Sequence, residues 1–89
     1  MIPTTAQAID ERPSRRGEQN DARQQFMAGE VKSLREIESR VVPRMRGMQY
    51  LGPEYDARSQ VYRLKFLDNG RVVFVDVDAR TGSIIRQIG

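Results

Sequence analysis

Between residues 61 and 82 the chain reads V-Y-R-L-K-F-L-D-N-G-R-V-V-F-V-D-V-D-A-R-T-G, with apolar and polar side chains alternating on both sides of an Asn-Gly pair. A period of two marks a β-strand with one buried face. Asn69-Gly70 is the dipeptide that best accepts the positive φ angles of a two-residue type I′ turn. Pairing outward from it sets Asp68 opposite Arg71, Phe66 opposite Val73, Leu64 opposite Val75 and Tyr62 opposite Val77. The other face then pairs Leu67 with Val72, Lys65 with Phe74, Arg63 with Asp76 and Val61 with Asp78. A three-residue loop over 68–70 would set Tyr62 against Asp76 and Leu64 against Phe74, mixing the two faces. A slipped register is costly when one face is buried, so the two-residue turn is predicted.

Upstream the period changes. Leu34, Ile37, Val41 and Met45 recur at helical spacing, which predicts a helix over 33–45 with a narrow apolar stripe. Ser33 and Glu36 form a capping box, and Glu36 and Arg40 form an i,i+4 pair. Pro43 disfavours helical geometry at Val42 and removes a backbone donor, so the helix is expected to end or kink there. Arg44 and Arg46 in or just past the last turn complement the helix dipole. Residues 21–28 predict a shorter helix, capped by Asp21 with Gln24 and stopped by Gly29, that buries Ala22, Phe26 and Met27.

Residues 48–55 suit an edge strand, because Pro53 lacks a ladder donor. A turn over 56–59 leads into the hairpin. A second turn, D-A-R-T-G at 78–82, leads to a last strand over 83–88. A four-residue loop at 79–82 aligns Ile84 with Val77 and Ile88 with Val73 on the buried face, whereas a shorter loop buries Ile85 instead; the first alignment is preferred. Together these elements predict an α+β domain: an antiparallel meander of three to four strands, one main helix packed on one face, and a short helix before it. Residues 1–20, with Pro3, Pro13, Gly17 and few apolar side chains, have the composition of a disordered N-terminal arm. The folded domain is thus expected over 21–89.

Composition narrows the chemistry. The 89 residues include no cysteine, histidine or tryptophan, and the net charge is +3. No disulfide, thiolate metal site or Ser-His triad can form. The positive charge is spread thinly, whereas a nucleic-acid groove calls for a basic stripe with stacking aromatics. No apolar run reaches the length of a membrane span. Thr5-Ala6-Gln7-Ala8 carries the small-x-small pattern after which export peptidases cut. It points to a periplasmic or extracellular protein whose export segment is not in this chain. Asp76 and Asp78 share a strand face, but Arg63 opposite Asp76 and the turn at Asp78 give each carboxylate a structural task. No catalytic residue, metal ligand or cofactor is expected.

The runs Tyr62-Arg63-Leu64-Lys65, Gly70-Arg71-Val72-Val73 and Val75-Asp76-Val77-Asp78-Ala79-Arg80-Thr81-Gly82-Ser83-Ile84-Ile85 resemble the PepSY domain. That family places a V-D-x-x-T-G-x-I/V segment at its last hairpin, after a helix and preceding strands. The resemblance covers roughly residues 30–89. It implies an exported or membrane-associated domain that binds or inhibits peptidases, as in the propeptides of thermolysin-like metallopeptidases, and it carries no catalytic motif.

The expected function is therefore a non-enzymatic, PepSY-like protein- or peptide-binding module whose partner is a protein such as a peptidase. The face bearing Val61, Leu67, Val72 and Phe74 is more apolar than a solvated face needs, so either helix 21–28 or a partner covers it. The edge strand near Tyr50 offers a second route, by strand addition. Tyr50, Val61, Leu67, Val72 and Phe74 are thus the candidate partner-binding residues. The alternatives are a homodimeric structural or envelope protein and a weak nucleic-acid or acidic-surface binder using Arg35, Arg40, Arg44 and Arg46. No nucleic acid is expected as the main partner, and the chain is expected to be a monomer or a weak homodimer.

Overall fold

A computed structural model describes residues 15–89 of the chain. Two helices, α1 (Arg15–Met27) and α2 (Leu34–Val41), precede four strands, β1 (Gln49–Asp56), β2 (Val61–Asp68), β3 (Arg71–Asp78) and β4 (Ile84–Ile88). The strands form one antiparallel meander in the order β1-β2-β3-β4, giving an α+β fold in two layers.

The central hairpin has the predicted register throughout, from Asp68 opposite Arg71 to Val61 opposite Asp78. Asn69 and Gly70 adopt φ of 51° and 83°, the two left-handed residues that a type I′ turn requires. One face of the hairpin presents Tyr62, Leu64, Phe66, Val73, Val75 and Val77, all essentially inaccessible to solvent. Ile37 and Val41 of α2, with Met45 beyond it and the half-buried Leu34, complete the same apolar cluster.

Ser33 caps α2, its Oγ accepting a hydrogen bond from the Glu36 N–H at 3.2 Å. The α-helix stops at Val41, short of the predicted 45, and tightens into a 3-10 turn over Val42–Arg44. Pro43 explains the change, since it has no N–H to give the preceding helical turn. Met45 stays buried after the turn, so the predicted stripe survives the change of helix type. Two bonds anchor α2 across the sheet. Glu38 Oε2 accepts from the Tyr50 hydroxyl at 2.7 Å on β1, and Arg40 Nη1 donates to the Thr81 carbonyl at 3.4 Å beyond β3.

The first helix departs from expectation. It begins at Arg15 rather than near Asp21, so residues 15–20 of the expected arm are helical and Asp21 lies inside the helix, not at its cap. Residues 18–20, Glu-Gln-Asn, continue a polar helical run, and the helix gains its length from them. The rest of the expected arm, residues 1–14, lies outside the described residues. The predicted stop holds: Gly29 takes φ of 80°, its N–H donates to Phe26 O, and the Glu30 N–H donates to Gln25 O, a Schellman motif. Among the described side chains of α1 only Ala22 is buried, while Phe26 and Met27 are 45% and 76% exposed. The helix is held on β1 by Gln25, which bonds the Tyr55 hydroxyl and the Ala57 carbonyl.

The last strand also departs. Ile84 pairs with Val77 as predicted, but a bulge between Asp76 and Val77 shifts the ladder. Ile88 therefore faces Phe74 rather than Val73, and Arg86 faces Asp76. Ile84, Ile85 and Ile88 are 40%, 45% and 42% exposed, so neither Ile84 nor Ile88 joins the core as expected. The extra residue in a bulge moves every later side chain to the opposite face.

Candidate docking surfaces

The turns that frame the sheet are built from their own side chains. In the β1–β2 turn, Asp56 accepts from the Arg58 N–H at 3.2 Å and from the Ser59 hydroxyl at 2.7 Å. After β3, Asp78 accepts from the Arg80 N–H at 2.9 Å and the Thr81 hydroxyl oxygen accepts from the Ser83 N–H at 3.2 Å. Gly82 takes φ of 84°. The D-A-R-T-G segment is thus a self-bonded turn that delivers β4 to the open edge of the sheet.

The face of the sheet away from α2 centres on Asp76, which is 2% exposed. Arg63 spans its carboxylate, with Nε 2.7 Å from Oδ1 and Nη2 3.0 Å from Oδ2. Arg86 of β4 donates to Oδ2 from Nη1 at 3.0 Å. The Arg63 hydrogen bonds hold the Asp76 carboxyl below the usual carboxylate range against the opposing effect of burial. The Arg63 guanidinium also lies 4.9 Å from the centre of the Phe74 ring, within cation–π range. Beside it Lys65 Nζ is 3.1 Å from Glu54 Oε2. Among the described residues, no three acidic side chains are grouped to hold a metal ion.

Four of the five sequence-predicted partner residues lie on this face. Leu67 faces Val72 across the β2–β3 ladder, and Phe74 follows Val72 by two positions on β3. Ile88, which sequence reasoning placed in the core, faces Phe74 from β4 and extends the row. Val72 is 43% exposed. Val61 sits at the opposite end, opposite Asp78 and beyond the Arg63–Asp76 pair. Tyr50 is not part of this face: its ring packs 5.1 Å from Phe66 and its hydroxyl is engaged by Glu38. Burial and the Glu38 hydrogen bond push that hydroxyl's pKa well above the ordinary tyrosine value.

No described element covers the outer face. The first helix, one of the two covers considered above, lies against Tyr55 on β1 and Ala57 in the turn after it instead. An open groove of about 850 Å³ runs from this face towards α1, and its charged lining is five carboxylates, Glu18, Asp21, Glu54, Asp56 and Asp76, with three arginines, Arg58, Arg63 and Arg86.

The two sheet edges differ. On β1 the ladder is broken by a bulge between Tyr50 and Gly52, carries Pro53, and is occupied at one end by α1. On β4 all five residues are exposed; Ile88 lies opposite Phe74 of the outer face, whereas Ile84, before the bulge, lies opposite Val77 of the helix-covered face. A bare, apolar edge is the feature that natural sheets ordinarily suppress. Sequence reasoning missed it because the bulge at Ile85 leaves no mark in composition. Of the arginines proposed for an acidic surface, Arg40 is bonded to Glu36 and to the Thr81 carbonyl.

Fold and surface define a two-layer α+β domain with one helix-covered sheet face, one open face and one open apolar edge. The chain matches no family model, no curated protein and no solved structure. Among the described residues no helix is long and apolar enough to cross a membrane.

Proposed function

We propose that this chain is a non-enzymatic module that binds another protein through the β4 edge and the adjoining Val72–Phe74 row. The observation that carries this reading is the exposure of Ile84, Ile85 and Ile88 on a terminal strand of the sheet. Open strands of this kind bind extended segments through the backbone, with side-chain pockets giving selectivity. The likeness of residues 30–89 to the PepSY domain supports a peptidase as the bound protein, modulated or inhibited by the module. With the Thr5-Ala6-Gln7-Ala8 pattern, it supports a setting outside the cytoplasm.

The test is a titration of the isotope-labelled chain with a thermolysin-like metallopeptidase, with peptidase turnover followed in parallel. Amide shifts at residues 72–74 and 84–88, with slowed turnover, are the expected result. Unchanged amides along both β4 and the Val72–Phe74 row across a panel of exported peptidases would overturn the reading.

A further inference from the structure

The helix-covered side of the sheet is not closed everywhere. Between α1 and the start of α2 lies a cleft of about 340 Å³, with Ala22, Phe26, Leu34 and Tyr62 as its apolar lining. That volume is at the lower end of small-ligand sites, which combine an apolar lining with a few placed polar groups. Phe26 remains 45% exposed beside it. Both walls are helices, so an extended chain segment finds no open ladder there. The cleft therefore suits a small molecule rather than a strand, and it lies apart from the β4 edge.

Two polar groups of the cleft lack partners. Tyr62 is 2% exposed, and its hydroxyl makes no hydrogen bond to another described residue. Among the described residues no unpaired side-chain oxygen is sealed from solvent, so the Tyr62 hydroxyl meets the surface at the cleft that Tyr62 lines. A buried hydroxyl without an acceptor is uncommon and calls for a reason. The second group is Arg23, the one charged residue of the lining. Its neighbours three and four positions away on α1 are Gln19, Asn20, Phe26 and Met27. None is acidic, so the helix gives Arg23 no ion pair, and no other described residue gives it one. Ser33 is committed to capping α2. Glu38, the carboxylate of α2 that acts on Tyr62, accepts from Tyr50 and stands outside the lining. The cleft thus presents one cation, one free hydroxyl and an apolar floor, with no anion among its lining residues.

We propose that this cleft binds a small apolar carboxylic acid, with Arg23 and the Tyr62 hydroxyl donating to its carboxylate and its hydrocarbon body lying on Ala22, Phe26 and Leu34. A neutral hydrocarbon would cover the floor but leave both donors unpaired. An ammonium head would meet Arg23 as a like charge. A carboxylate satisfies both groups, and hydrogen bonds to an ionised acceptor are the stronger kind. The inference is separate from the docking reading above and does not rest on it.

Octanoate, octanamide and octylamine share one chain length and differ in the head group, so the experiment titrates each into the labelled full chain. Octanoate should shift the amides of residues 19–26, 33–34 and 62 and bind about tenfold more tightly than octanamide, with octylamine the weakest. Arg23→Gln should bring octanoate down to octanamide, and Arg23→Lys should restore most of the difference. Arg23 is exposed, and a dispersed amide spectrum verifies the fold of both variants. Tyr62→Phe keeps the ring and should weaken octanoate by about fivefold. Equal affinities of the three compounds, or a preference for octanoate that survives Arg23→Gln, would overturn the acidic ligand. Shifts confined to β4 and the Val72–Phe74 row, or none with any compound, would overturn the cleft as a site. So would Overhauser contacts between Ile9 and Leu34 in the unliganded chain, or cleft amides that shift with protein concentration, because the chain itself or a second copy would then fill the space.

Discussion

Arg63 and Asp76 lie directly opposite each other on β2 and β3 and share two hydrogen bonds, at 2.7 and 3.0 Å. The pair lies mid-hairpin and neutralises a carboxylate that is otherwise hidden from water. The carboxyls of Asp56, Asp76 and Asp78 are all held below the ordinary range, chiefly by hydrogen bonds from the Ser59 hydroxyl, from Arg63 and from the Arg80 N–H respectively. A depressed carboxyl contributes stability that is complete above the unfolded value, about pH 4, and is lost as pH falls through the lower folded value. The urea midpoint should therefore hold steady near neutrality and fall below about pH 4. Asp76→Asn should cost about 1–3 kcal/mol at pH 7 and flatten that acid limb. An acid limb of unchanged steepness in the variant would contradict this account.

Leu64 and Ile88 test the difference between core and edge. Leu64 is fully buried and Ile88 is 42% exposed. Leu64→Ala should cost about 2–5 kcal/mol, a large share of what holds a domain of this size together. Ile88→Ala, by contrast, should change stability by about 0.5 kcal/mol or less. Urea unfolding followed by circular dichroism measures both. A large loss for Ile88→Ala would mean that β4 is packed rather than open.

The contrast between those two residues also shows what the sequence could convey. The hairpin was legible because Asn69-Gly70 fixes the loop, and a slip by one position would have exchanged an apolar face for a charged one. Likewise, α2 was legible because its stripe, its Ser33 cap and Pro43 agree with one another. The end of the chain was not, because Ile84 and Ile85 are chemically alike and the bulge that separates their roles arises from the fit between β3 and β4. The start of α1 was hidden for a similar reason: a polar helix in which only Ala22 is buried among the described side chains has no apolar period to announce it. For the candidate surface, the outer-face row was visible in the hairpin register. Its extension to Ile88 and the engagement of the Tyr50 hydroxyl by Glu38 needed the third dimension.

Two glycines with the same backbone sign should respond differently to alanine. Gly70 has φ of 83° and open space where a Cβ would go, whereas at Gly82, with φ of 84°, that Cβ would come within 2.6 Å of Arg40 Nη1. Gly70→Ala should cost about 1 kcal/mol from backbone strain alone. At Gly82 the same change carries that strain and also displaces the Arg40 tip from the Thr81 carbonyl. Gly82→Ala should thus cost more than Gly70→Ala, and the excess should vanish when Arg40 is also replaced by alanine. A double-mutant cycle reads this coupling directly. Additive losses would show that Arg40 moves aside freely.

The three tyrosines of the chain predict its behaviour in alkali. Tyr62 and Tyr55 are buried with ring centres 4.7 Å apart, and Tyr50 packs on Phe66. Burial pushes all three hydroxyls up, that of Tyr62 to about 12. A tyrosine raised in the folded state contributes stability that is complete below its unfolded value, about 10, and is lost as pH climbs towards the folded one. Tyrosinate absorbance should therefore stay low through pH 10 and rise together with the loss of circular dichroism, since ionisation requires the apolar layer to open. Tyr62→Phe removes one of these contributions, so its stability should decline less steeply between about pH 10 and 12 than that of the unmodified chain. A tyrosine that ionises near pH 10 while the fold persists would place its ring in water, and the packing of β1 and β2 against α2 described above would then be wrong.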